Sequence, residues 1–257
     1  MSNTVLLSIE GKTATLTLNR PKSMNAMDVE LLKTLLSKIK EVKESNANVL
    51  VITGEGKAFS AGGDIKTMLQ ESDPDAFRGI MATIKELMST LYTLPLITIS
   101  AVNGAAAGLG LSFALASDYV IADENAKLAM NFIGIGLMPD GGGHFFMQNR
   151  LGEVKAKHVI WEGKKLTASE ALELGLVDGV AHGDFKEFVQ QKVNALHRAP
   201  VKAMIETKLL YAKQNQPKLL EVLDSETNGQ QALRNTKDHQ EGVQAFLEKR
   251  NPNFIGE

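Results

Sequence analysis

The sequence predicts an α/β body followed by an all-helical tail, and three observations carry that expectation. Short, uncharged and mainly apolar runs, Val49 to Thr53 and Leu96 to Val102, read as strands buried on both faces. Each is followed by a glycine-rich loop and a helical pattern, so the order strand, loop, helix recurs. Beyond about Pro200 every segment has helical periodicity, which divides the chain into a body over 1–200 and a tail over 201–257.

The elements follow in order. Val5 to Ile9 and Thr13 to Leu18 predict a hairpin turning at Glu10-Gly11-Lys12, the second strand alternating hydroxyl and aliphatic side chains. Asp28 is placed to cap a helix running to about Glu44, with Leu31, Leu32, Leu35, Leu36, Ile39 and Val42 on one face. Ala76 to Thr93 is helical in pattern, and Ala107 to Ala116 is a buried helix. Tyr119 to Ala122 and Lys127 to Met130 read as strands. The uncharged stretch from Leu87 to Ser117 is long enough to cross a bilayer, but its Pro95, Asn103 and glycines fit a buried strand and helix better, so no membrane is expected. Helices dominate from Gly141 onward, Thr167 and Glu170 forming a capping box. The tail predicts three amphipathic helices: Val201 to Lys213, Pro217 to Gln231 and Thr236 to Lys249. Such a layer either covers its own body or packs between subunits, and periodicity does not separate the two.

Composition excludes several chemistries. The 257 residues carry 28 Lys+Arg against 30 Asp+Glu, a net charge of -2, which leaves no basic footprint for nucleic acid. The absence of cysteine removes disulfides, thiolate catalysis and Cys-ligated metals, and is compatible with a reducing cytoplasm. The opening MSNTVLLSIEGK lacks the basic region and apolar stretch of a signal peptide. Histidines at 144, 158, 182, 197 and 239 have no zincin spacing and no EF-hand loop is present, so no metal is expected. P-loop and Gly-x-Ser-x-Gly patterns are absent. Gly108-Leu109-Gly110 supplies only part of a dinucleotide pattern, because Phe113 stands at the third glycine position.

Two glycine-rich loops remain, Lys57 to Ile65 and Asn103 to Leu111. Loops without side chains let a ligand touch the backbone, and the second also opens a helix. Two converging N–H groups would make an oxyanion hole; equally, Gly104 and Gly108 could serve close packing alone.

The segments AFSAGGDI, ITISAVNGAAAGLGLSFALASDYVIA, GIGLMPDGGG, LTASEALELGLVD and EGVQAFLEKRNPNF, in this order over nearly the whole chain, resemble the enoyl-CoA hydratase/isomerase (crotonase) family. The resemblance implies a spiral of ββα units and a C-terminal helical trimerisation region, giving a homo-trimer or a homo-hexamer built as a dimer of trimers. It implies an acyl-CoA substrate, with coenzyme A arriving as part of that substrate and no permanently bound cofactor. The thioester carbonyl would sit between backbone N–H groups at Gly63 and Leu109. Ala61 and Ile65 would meet the adenine end of coenzyme A, and Phe246 and Lys249 fall where the family brings aromatic and basic tail residues near the CoA phosphates.

One departure from the family pattern is informative. The two positions at which family hydratases carry glutamates hold Ser112 and Phe132, which cannot transfer protons as two carboxylates do. Asp140 stands where some isomerases of the family carry a carboxylate, just after the proline. Isomerisation needs only one base, which moves a proton from C2 to C4. The expected function is therefore an enoyl-CoA isomerase, with a hydratase or a non-catalytic acyl-CoA-binding protein as alternatives. Asp140 could instead cap the helix starting near Gly141, and His144 could contact it from the next turn or serve only in packing.

Overall fold

The computed structural model describes residues 3–64 and 74–257. β1 (Val5–Glu10) and β2 (Thr13–Leu18) form the expected antiparallel hairpin. Ala14, Leu16 and Leu18 of β2 are sealed in the core while its threonines occupy the other face, the period-two pattern of a strand. α1 (Val29–Lys43) starts at Asp28, whose carboxylate accepts the Leu31 N–H at 2.8 Å, and buries the six-residue stripe read from its sequence.

β3 (Val49–Gly54) joins β2 in parallel. The chain then leaves for a second sheet through β4 (Ala58–Ser60), and α2 (Pro74–Tyr92) precedes its return. β5 (Ile97–Val102), β6 (Ala105–Ala107) and α3 (Leu109–Leu115) repeat the move, and β7 (Tyr119–Asp123) with β8 (Lys127–Ala129) begins it again. α4 (Gly143–Leu151), α5 (Glu153–Glu162), β9 (Leu166–Thr167), α6 (Ala168–Leu174), β10 (Gly179–Ala181) and α7 (Phe185–Arg198) complete the body. The large sheet is ordered β1-β2-β3-β5-β7-β10 and the small one β4-β6-β8-β9, so successive ββα units wind as a spiral.

Both faces of the large sheet are covered. One meets α1, α2 and α3; against the other, Val49, Val51, Ile97 and Ile99 pack on Val189, Val193 and Leu196 of α7. That is why β3 and β5 are apolar without alternation.

The structure departs from expectation in two places. β4 and β6 lie within segments read as loop; each is only three residues long, β6 being all alanine with weak strand preference of its own, and they pair with each other. The tail has two helices rather than three, α8 (Val201–Leu233) running unbroken through Pro217 and α9 (Lys237–Glu248) following. Pro217 removes one helical N–H, but α2 splints α8 on both sides of it. Gln216 donates to Ser89 Oγ at 3.1 Å, Lys85 pairs with Asp224 at 2.5 Å, and Leu219 and Leu223 are buried. Farther back, Lys208 Nζ donates to the Leu96 carbonyl and to Asp118 Oδ2, each at 2.8 Å, tying α8 to the large sheet. Among the described residues no helix is long and apolar enough to cross a membrane.

Candidate active site

The two glycine-rich loops meet at a cleft whose wall is completed by α1 and α2. Gly62 has φ +93°, and a Cβ there would lie 2.6 Å from the Ala107 carbonyl oxygen, so only glycine lets the loops pass this closely. Met27 braces the first loop: its N–H donates to the Gly62 carbonyl at 2.7 Å and its carbonyl accepts the Asp64 N–H at 3.2 Å. In such a bridge the intervening Gly63 N–H faces away from Met27, and it has no acceptor among the described residues. The Leu109 N–H, in the first turn of α3, likewise has none, whereas the neighbouring Gly108 N–H is held by Ala129 at 2.9 Å. Gly63 and Leu109 both line the cleft.

Arg20 anchors this arrangement from below, reaching Asp28 at 2.9 Å and Asp64 at 3.4 Å. Asn25 is fully buried, accepting the Arg20 N–H and donating to the Glu55 and Ala58 carbonyls. It fixes the strand before the first loop.

Asp140 enters the same cleft from the segment ahead of α4. Gly141, at φ +63°, is pressed so closely on α3 that a Cβ would lie 2.5 Å from Leu109 Cδ1. Part of Asp140 borders the cleft, but its Oδ1 is closed to solvent and has no hydrogen-bond partner among the described residues. Burial, and then the negative charge of Glu226, push its carboxyl from 3.8 up to about 8.

Asp140 does not cap α4. The N-cap is Gly142, and the side chain that serves the first turn comes from α8. Glu226, 1% exposed, accepts the Gly142 N–H at 2.7 Å and the His144 N–H at 3.1 Å, and bonds His144 Nδ1 at 2.8 Å. Of the two roles open to His144 from sequence, contact with Asp140 or packing, the structure shows neither as such: its ring bonds Glu226. One turn farther along α8, buried Gln230 donates to the Met138 carbonyl and lines the cleft.

The remaining candidates lie elsewhere. Ser112 is fully buried, its Oγ near the Gly108 carbonyl (3.5 Å) and Met130 Sδ (3.7 Å), and Phe132 packs its ring against Gly108; neither borders the cleft. Ala61 donates its N–H to the Met24 carbonyl at 2.9 Å. Phe246 projects from α9, Lys249 ends that helix in a left-handed conformation, and neither lines this cleft. Ile65 lies outside the described residues. Sequence reading missed Glu226 and Gln230. Their signal was present: they continue the stripe Leu219, Leu223 at helical spacing, so two polar residues stood on a buried face.

The cleft leaves about 50 Å³ for the centres of water-sized molecules, and Met81, Ile84 and Leu32 make its apolar walls. Backbone donors, one buried carboxyl and an apolar wall suit a thioester with an acyl chain. The sequence profile of enoyl-CoA hydratase/isomerase matches residues 8–257. The chain belongs to that family. Within the enoyl-CoA hydratase/isomerase family it is 48% identical to YhaR of Bacillus subtilis, a protein assigned provisionally to the family by its name, over 97% of this chain and 98% of that one. It is 33% identical to the 1,2-epoxyphenylacetyl-CoA isomerase of Escherichia coli, over 100% of both chains. The crystal structure of an enoyl-CoA hydratase from Mycobacterium avium subsp. paratuberculosis superposes with a TM-score of 0.88 at 31% identity, covering 98% of both chains. The ββα spiral described above is therefore the crotonase fold.

The raised Asp140 carboxyl has a consequence for stability. Because its folded value of about 8 exceeds the usual 3.8, the folded protein holds an extra proton between these limits, and the group's contribution to stability falls as pH rises through that window. Asp140→Asn is expected to raise the thermal midpoint at about pH 8 and above, with the gain shrinking towards zero near pH 4. Thermal melts of both proteins across this range check it; a gain independent of pH would show that the carboxyl does not titrate there.

Proposed function

We propose that this enzyme is an enoyl-CoA isomerase that moves a double bond from C3=C4 to C2=C3 of an acyl-CoA thioester, with Asp140 as its single base. The observation that carries the reading is the Asp140 carboxyl, buried in the same cleft as the unpartnered Gly63 and Leu109 N–H groups. Asp28 and Asp64 also border that cleft, but both are engaged by Arg20.

The ionised Asp140 takes the C2 proton, and the C–H electron pair forms the enolate, whose oxygen is stabilised by the Gly63 and Leu109 N–H groups. The carbonyl then re-forms, the C2=C3 bond forms, and the C3=C4 π electrons take the proton back from Asp140 at C4. A carboxyl group pushed up to about 8 suits both halves of this shuttle, being basic enough to accept and acidic enough to return. The isomerase name of the Escherichia coli relative supports the reading. The hydratase name of the mycobacterial structure favours a second one, in which Asp140 recruits water to a 2-enoyl thioester.

The packing of the tail between subunits, as a trimer or hexamer, is supported by Leu210, Tyr211, Phe246 and Leu247, all more than half exposed on α8 and α9. We place Ala61, Phe246 and Lys249 near coenzyme A only through the family resemblance. The cysteine-free composition fits a cytoplasmic setting.

Four measurements test this reading. Assays of 3-enoyl-CoA against 2-enoyl-CoA should show isomer formation in preference to hydration, and Asp140→Asn should abolish isomerisation while acyl-CoA affinity changes less than about tenfold. Retained isomerase activity in that variant would remove Asp140 as the base; fast hydration of 2-enoyl-CoA alone would favour the second reading. Gly63→Pro removes one N–H donor and should lower turnover at least about 10²–10³-fold, the usual effect of losing one oxyanion contact. Sedimentation at micromolar concentration should give a trimer or hexamer; a stable monomer would refute the packing of the tail between subunits.

A further inference from the structure

The segment that carries Asp140 is gripped on both sides by α8. Two residues before the carboxylate, the Met138 carbonyl accepts from Gln230; two residues after it, the Gly142 N–H donates to Glu226. Glu226 is 1% exposed and takes three hydrogen bonds, two of them from His144, whose side chain is 34% exposed. The proposed reaction uses none of these groups. A buried acid that served only as a cap could be replaced by a neutral acceptor at lower desolvation cost.

We infer that Glu226 is a positioning residue for Asp140: from the tail helix it fixes the chain just beyond the base and places a buried negative charge beside it, which His144 links to solvent. The inference rests on the reading of Asp140 as the base. A like charge in a shielded site favours the protonated form of its neighbour, which agrees in direction with the raised Asp140 carboxyl, although burial is the larger cause. The other charged groups around Asp140 are few. Asp28 and Asp64 with their partner Arg20, and Arg234 at the end of α8, border the cleft or its floor, whereas the described cleft-lining residues of α2 and α3 are uncharged.

The test is the pH profile of isomerase turnover. Activity rises as Asp140 ionises, so removing the neighbouring charge in Glu226→Gln should move the acid limb down by about one pH unit, with KM for the acyl-CoA little changed. His144→Ala takes a donor from Glu226 at a half-exposed position and leaves the charge less compensated, so its acid limb should move up, by roughly half a unit. The opposite signs separate this role from loss of a helix cap, which lowers stability without moving the limb. The same shifts are read without turnover as the pH at which the thermal midpoint stops falling. If Asp140→Asn keeps its activity, the reading of Asp140 as base falls. If that variant is inactive but the acid limb stays in place in both Glu226→Gln and His144→Ala, only the present inference falls. Should Glu226→Gln fail to fold, the His144→Ala limb decides by its direction.

Discussion

The close passage of Gly62 across the Ala107 carbonyl is the contact on which the cleft depends. A side chain at position 62 would force the two loops apart, and Gly63 and Leu109 would cease to share a wall. Arg20, Asn25 and Met27 spend their polar groups on the first of these loops, with Asn25 entirely buried. A buried amide with all these partners satisfied specifies one backbone path, because any other leaves several groups unpaired at a few kcal/mol in total. The end of the cleft where we propose that the thioester binds is therefore set by main-chain geometry that the tertiary structure over-determines.

The acid at the other side of the cleft shows the converse principle. Asp140 keeps its Oδ1 closed to solvent and without a hydrogen-bond donor among the described residues, and burial destabilises its charged form in the folded chain. A protein selected only for stability would place a neutral residue there, and such exceptions concentrate where chemistry is done. Ser112 and Phe132 fit the same picture: their sites are filled and closed, one by a hydroxyl near a methionine sulfur, the other by a ring lying on a glycine. Neither of these two positions holds a carboxylate, and the space for one there is occupied.

Much of this was legible in the sequence, for identifiable reasons. The unalternating runs of β3 and β5 announce a sheet covered on both faces, and the glycine loops announce a backbone-lined site. Asp140 could be singled out because acids are missing at 112 and 132. What stayed hidden was set by contacts between distant segments. Glu226 lies 82 residues from His144 in sequence and reads locally as one more acid on a charged helix. The continuity of α8 through Pro217 depends on α2 alongside it, and β4 and β6 take strand form through pairing with each other and, for β6, with β8. Local preference cannot report what is decided by a neighbour.

One inner strand of the small sheet is built almost without side chains. β6 is three alanines, and β4 and β8 contribute two more between them at their ends. Methyl groups have no rotamers to exchange, so the β6 backbone that leads into the second loop is not displaced by side-chain motion of its own. The opposite wall is made from Met81, Ile84 and Leu32, long side chains with several conformations each. The two ends of one cleft thus differ in stiffness: in the proposed reaction the carbonyl would meet a fixed gauge, while the acyl chain would meet an upholstered surface that can take the shape of what it holds.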